Sequence, residues 1–334
     1  MKDRISARQL CVSAFTGLLA PAAAVAGLDW RGALLAVPFI LLAVGAGSAA
    51  ASRAGGLPVL LSTVWGKGLS LLYIVWGVFC AGTALAICGQ RLSMAAGNGS
   101  GAGGMLLAVM IPVLWLAASK TGAFARAGEI FYLAMAVILL GVVLLGIRQV
   151  EWRYLWLEGE GIWTSFRTAG GLGCLTVYAV LLWNGKGAGE KRRWLGWTTA
   201  GALALALLSA LTVGSLSPAL SGQSETPFFL MTVGLGQTAR AEALAAVLWL
   251  LADVTFAALL LHAGRHLCST VFSVSHEKTV GILLALLSAA VSYGILNWGE
   301  PLDYLERFVS TGTLLLGGGV PCILWLVSLR YKKR

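Results

Sequence analysis

The chain has 334 residues, of which 58% are hydrophobic and 11% charged, with a net charge of +10. Soluble domains carry about 25% charged residues, so this sequence cannot cover a water-facing globular surface, and disorder, collagen, a coiled coil and a disulfide scaffold are excluded with it. The basic residues sit in short connectors and in the tail 330–334 rather than along one face, which speaks for membrane topology and against nucleic acid.

About 20 apolar residues cross a hydrocarbon core, and on that measure ten spans are predicted, giving an all-α polytopic membrane protein. The first, 10–27, follows Lys2, Arg4 and Arg8 and reads as an uncleaved helix rather than a signal peptide. It carries Thr16-Gly17-Leu18 and then Pro21. Spans 32–51 and 69–89 follow, the latter holding Tyr73 and Trp76, then a short span at 104–119. The fifth, 128–147, is headed by Arg126 and Glu129, spaced i, i+3 on one helix face. A solvated anchor and a gate ion pair are both open for this couple.

The connector 148–168 mixes aromatic residues with Glu151, Glu158 and Glu160. It reads as a short interfacial helix or gate, or as an ordinary surface loop. The sixth span, 169–184, opens Thr168-Ala169-Gly170-Gly171-Leu172-Gly173, and 195–213 follows. The eighth span, 242–263, is headed by Arg240 and Glu242, again an anchor or a gate pair. It buries Asp253 near its centre, at a cost of roughly 2.5–3.5 kcal/mol on insertion scales. Asp253 is a proton-coupling carboxylate, a partner for a substrate amine, or a hydrogen-bonded bundle residue. His262 and His266 close that helix without a third metal ligand nearby. Spans 279–297 and 312–329 end the chain before its basic tail.

Placing the N-terminus inside puts 17 of the 24 Lys and Arg residues in inner connectors, with Arg91 among the seven outside. The positive-inside rule therefore predicts that both termini are cytoplasmic. Trp30, Trp152, Trp156, Trp163, Trp194 and Trp298 fall in or beside connectors, where amphipathic rings settle at the headgroup level. The six scattered cysteines form no C-x-x-C pair and read as small buried hydrophobes. There is no P-loop, nucleophile elbow or HExxH, so an enzyme, a metal and a cofactor are not expected.

Ten spans divide into five plus five, the layout of inverted-repeat transporters, whose binding sites lie where helices 1 and 6 are broken. The glycine interruptions in spans 1 and 6 fall at the corresponding places. The expected organisation is one permease domain over 1–334: repeat one about 10–147, an outer loop 148–168, repeat two about 169–329 and the tail 330–334.

Several segments in order resemble the endospore germination permease family, the B subunits of GerA-type nutrient receptors within the amino acid–polyamine–organocation superfamily. They are ISARQL (5–10), FARAGEIFYLAMAVILLGVVLLG (124–146), LEGEGIWTSFRTAGG (157–171), TPFFLMTVG (226–234) with RAEALAAVLWLLADV (240–254), and LERFVSTGTLL (305–315). Together they span nearly the whole chain. The resemblance implies a LeuT-like fold with broken helices 1 and 6, in the inner membrane of a dormant spore. It also implies a larger membrane subunit and a lipoprotein subunit as partners, and a small nutrient ligand, usually an amino acid. Carried over to this sequence, the family's pocket falls on Thr16, Gly17, Gly170, Gly171 and Gly173. Tyr73, Trp76 and Asp253 are added by their positions along spans 3 and 8. A secondary amino-acid transporter, proton-coupled through Asp253, is the rival reading.

Overall fold

The structure, a computed structural model, describes residues 6–64, 66–96, 101–157, 161–183, 188–224, 226–235 and 240–329. Within these, helix follows helix. The helices are α1 (Ala7–Ala24), α2 (Trp30–Ala54), α3 (Leu57–Val64), α4 (Gly66–Ala96), α5 (Ala102–Ala118), α6 (Thr121–Gly146), α7 (Ile162–Gly173) and α8 (Val177–Leu181). They continue with α9 (Ala188–Leu216), α10 (Pro218–Gln223), α11 (Pro227–Leu235), α12 (Arg240–Val271), α13 (Glu277–Trp298) and α14 (Pro301–Ser328).

Among the described residues, six helices are long and apolar enough to cross a membrane: α2, α4, α6, α9, α13 and α14; α5 is a shorter apolar helix. The other three predicted spans overlap α1, the α7–α8 pair and α12. Lipid-facing stripes are plain on the outer helices. Leu107, Ile111 and Trp115 follow one another at four-residue steps on α5, and all are exposed. On α6 Ile130, Leu133, Val137, Leu140 and Leu144 are exposed in the same way. Apolar side chains at helical spacing, unpaired on a large surface, suit hydrocarbon rather than water.

The centre of the bundle is the opposite case. Every residue of α12 from Ala252 to Arg265 is buried, and so is every residue from Thr168 to Trp183. A helix packed on all faces lies inside the bundle. α12 packs on α4, α1 and α6, while α7 packs on α2 and α14.

Local chemistry sets the ends. The ISARQL segment is a capping box: the Gln9 N–H donates to the Ser6 hydroxyl, and the Ser6 N–H donates to the Gln9 side chain, both at 3.2 Å. Asp29 caps α2 by accepting the Arg31 N–H at 2.8 Å, and its carboxylate is gripped by the Arg31 guanidinium at 2.7 Å. Gly55 ends α2 at φ +78°, the left-handed geometry that favours glycine.

Two expectations about helix breaks need correction. The first helix is continuous. The Thr16 hydroxyl donates to the Val12 carbonyl at 3.0 Å, and a Cβ on Gly17 would stand 3.2 Å from the Phe256 Cα of α12. Gly17 is there for close helix approach, and the helix runs on through Pro21 to Ala24. In the sixth span, the chain stays α-helical through Gly170, Gly171 and Gly173, and narrows to a 3₁₀ turn at Cys174–Thr176 before α8. The irregularity is real but follows the glycines. That helix also begins at Ile162, earlier than the apolar run that marks it in the sequence.

The connector after α6 forms a short 3₁₀ helix, Trp152–Trp156, and Trp152, Trp156, Trp163 and Trp298 are exposed as expected. Trp194 is not: it is buried, with its ring 6.4 Å from that of Trp183. A long distortion missed in the sequence lies in α14, which contains two π-helical stretches, Tyr304–Val309 and Leu314–Gly319.

Candidate functional site

The expected site residues divide into two groups. Tyr73 and Trp76 on α4 face α14. The Tyr73 hydroxyl donates to the Leu316 carbonyl, and the Trp76 indole N–H donates to the Thr313 hydroxyl at 3.0 Å. Tyr178 of α8 donates to the Tyr73 carbonyl at 3.0 Å, linking helices 3, 6 and 10 of the expected ten. Gly171 abuts the Ser310 carbonyl of α14, Gly173 abuts Ile40 of α2, and Gly170 faces Leu314. These three glycines hold α7 close to its neighbours.

Arg126 and Glu129 share a helix but not a bond. The Arg126 Nε donates to the Gly122 carbonyl at 3.2 Å, while Glu129 accepts from the Gln9 amide at 3.1 Å. Among the described residues no ion pair joins them. The side chains of Arg240 and Glu242 lie outside the described residues. No group of three His, Cys, Asp or Glu residues able to hold a metal is found among the described residues. His262 is buried, stacked on Phe124 with ring centroids 4.6 Å apart, and its Nε2 lies 3.0 Å from the Leu116 carbonyl.

Asp253 has the partner the sequence did not disclose. Arg91 is no loop cation: it lies in the last turns of α4, and its guanidinium is 3.2 Å from the Asp253 carboxylate. Both residues are buried, at 8% and 2% exposure. Desolvating two charges costs several kcal/mol per ion, and mutual attraction offsets that cost only when the pair stays together. Gly17 sits close below, against Phe256, three residues beyond Asp253 on α12. Gly17 therefore marks the α1–α12 contact near Asp253, whereas Tyr73, Trp76, Gly170 and Gly171 pack toward α14 and Gly173 toward α2.

The ion pair lines a narrow, partly open hollow. α1 contributes Ala23 and Ala24, α4 contributes Cys88, Arg91 and Leu92, and α12 contributes Ala246, Trp249 and Asp253. α11 closes it with Phe228, Phe229 and Thr232, and Thr226 adds to the rim. The Phe228 and Trp249 rings meet at 4.5 Å. A mostly apolar hollow with a few convergent polar groups has the make-up of a small-molecule site. α11 is the segment TPFFLMTVG, whose part in a site no spacing in the sequence announced.

No protein-family model matches the chain, and no curated protein sequence matches it. Solved structures do. MhsT in complex with L-phenylalanine superposes with a TM-score of 0.71 at 15% identity, over 97% of this chain and 95% of that one. Mhp1 in an inward-facing conformation superposes with a TM-score of 0.55 at 16% identity, over 96% of this chain and 76% of that one. Both are LeuT-fold secondary transporters and not enzymes. The chain shares their fold.

Proposed function

We propose that this chain is a small-molecule-binding permease of the amino acid–polyamine–organocation superfamily, acting as the B-subunit-like component of a spore nutrient receptor. Its ligand is an amino acid, and ligand binding triggers germination. The observation that carries the binding function is the buried Arg91–Asp253 pair opening on a cavity between α1, α4, α11 and α12. A charged couple so far from bulk water is costly, and its place beside an apolar hollow gives it a ligand to act on. The receptor role rests on the ordered resemblance from ISARQL to LERFVSTGTLL.

The reading includes ten spans in five plus five, both termini cytoplasmic, and residence in the spore inner membrane beside a larger membrane subunit and a lipoprotein. With that orientation the cavity lies in the outer half, where α1 and α4 end and α12 begins. Gly17 sets the approach of α1 to α12 beside the site, and Gly170, Gly171 and Gly173 set that of α7 to its neighbours.

The test is nutrient-triggered dipicolinate release from spores with and without the gene. Loss of the response to one nutrient class, with release by non-nutrient triggers intact, supports the receptor. An unchanged response overturns it. The near-complete superposition on MhsT favours a second reading, a secondary active amino-acid transporter coupled to protons through Asp253. Net uptake into proteoliposomes that collapses in Asp253→Asn would establish that reading instead.

A further inference from the structure

A second buried cation stands at the end of the bundle opposite the hollow. Arg265 is only 4% exposed, and at 1.5 Å per residue it lies about 18 Å along α12 from Asp253. Its guanidinium donates to the Ala117 carbonyl at 3.0 Å, the Ser119 carbonyl at 2.7 Å and the Thr121 hydroxyl at 3.0 Å. One turn earlier, His262 stacks on Phe124 with its Nε2 3.0 Å from the Leu116 carbonyl. The last carbonyls of a helix have no partner within it, and α5 ends at Ala118. α12 therefore caps α5 from a residue 148 positions away, where a cation also meets the negative end of the helix dipole. Gly281 of α13 packs on the same Ala117 carbonyl, with which a Cβ would collide.

The same corner of the chain grips α1. Gly128 of α6 lies against Ser13 of α1, where a Cβ would collide with the Ser13 Oγ. One residue further, Glu129 accepts from the Gln9 amide at 3.1 Å. Phe124, Ala125 and Gly128 are all buried in these first turns of α6. The stretch 116–129 thus holds the end of α12 and the start of α1 together. Between this corner and the hollow, Gly17 brings the two helices into contact at Phe256.

We propose that the α5–α6 corner is a latch that keeps these ends of α1 and α12 closed, with Arg265 as its fastening. While the latch holds, α1 and α12 part only at the hollow, so the hollow opens to one side of the membrane. The latch does not depend on what occupies the hollow. A plain cap would do less: its loss would fray the end of α5 and leave α1 untouched. What marks a latch is that a change in Arg265 on α12 reaches α1 through α6.

The test is amide hydrogen exchange, read by mass spectrometry on the full chain in lipid discs. Arg265→Met keeps an apolar stem and removes every donor. Exchange is expected to quicken at least about tenfold at 119–128 and also at 10–14 of α1, with α7 and α14 unchanged. Glu129→Leu undoes the latch from the α1 side and stands whether or not Arg265→Met folds. It should quicken 10–14 by a similar factor while the end of α5, still capped by Arg265, stays protected. Faster exchange in Arg265→Met confined to the end of α5 makes Arg265 a cap and overturns the latch. A rise that extends to α7 and α14 shows a loss of global stability and overturns it too. So does a Glu129→Leu chain whose exchange at 10–14 matches the natural protein.

Discussion

The Arg91 guanidinium stands 3.2 Å from the Asp253 carboxylate, joining α4 to α12 inside the bundle. Removing one partner leaves the other as an unpaired buried charge, which typically costs about 3–5 kcal/mol. Asp253→Asn and Arg91→Met should each lower the melting temperature of the detergent-solubilised protein. The double variant Arg91→Met/Asp253→Leu should recover most of that loss, because a well-packed apolar pair can replace a buried ion pair. Additive losses in the double variant would show that the two residues do not act as a pair.

The glycines give a graded prediction. A Cβ on Gly171 meets the Ser310 carbonyl of α14, whereas one on Gly170 meets the Leu314 side chain at 3.4 Å, and one on Gly141 meets nothing within 4 Å. Gly171→Ala should therefore destabilise most and Gly170→Ala little. Gly141→Ala should be neutral or stabilising by up to about 1 kcal/mol through helix propensity. Thermal unfolding of the three variants checks the order.

Bulky substitution at Gly17 or Gly171 should abolish the ligand response while leaving membrane insertion intact. Gly17→Leu drives a side chain into the backbone of α12 at Phe256, one turn from Asp253. Germination assays beside immunoblots of membrane fractions measure both quantities. A normal response in both variants would show that helix spacing at these points is irrelevant to the site.

Tyr73 and Trp76 should behave as structural residues of the α4–α14 contact. Tyr73→Phe and Trp76→Phe each lose a hydrogen bond to α14, worth about 0.5–1.5 kcal/mol. Stability should fall by about that much, with the nutrient concentration for half-maximal response unchanged. A shifted half-maximal concentration at unchanged stability would put these side chains back at the ligand.

Much of this architecture can be read from the sequence, because apolar run length is a direct measure of a membrane-spanning helix. Each predicted span coincides with a helix or a helix pair. The start at Ile162 was hidden because its first turns are exposed and amphipathic, so they carry no continuous apolar run. Gly17 and Gly171 could not be decided either way: a glycine that lets two backbones touch and one that lets a helix unwind look alike in a sequence. Arg91 is the least legible residue of the site. A single basic residue at the end of an apolar run looks like a topology marker, and its partner lies 162 positions away. The clue was Asp253 itself, since a carboxylate buried at a helix centre calls for a cation at matching depth. The role of α11 had no comparable clue, because Phe228 and Phe229 become cavity walls only when α11 folds over α12.

The most direct measurement is nutrient-triggered dipicolinate release from spores carrying Arg91→Met/Asp253→Leu in place of the natural gene. Protein abundance and release by a non-nutrient trigger are monitored alongside. The account predicts normal abundance, normal non-nutrient release and no response to the nutrient that the natural protein detects. A double variant that responds at the wild-type nutrient concentration would contradict it, because the ligand would then be recognised without the ion pair.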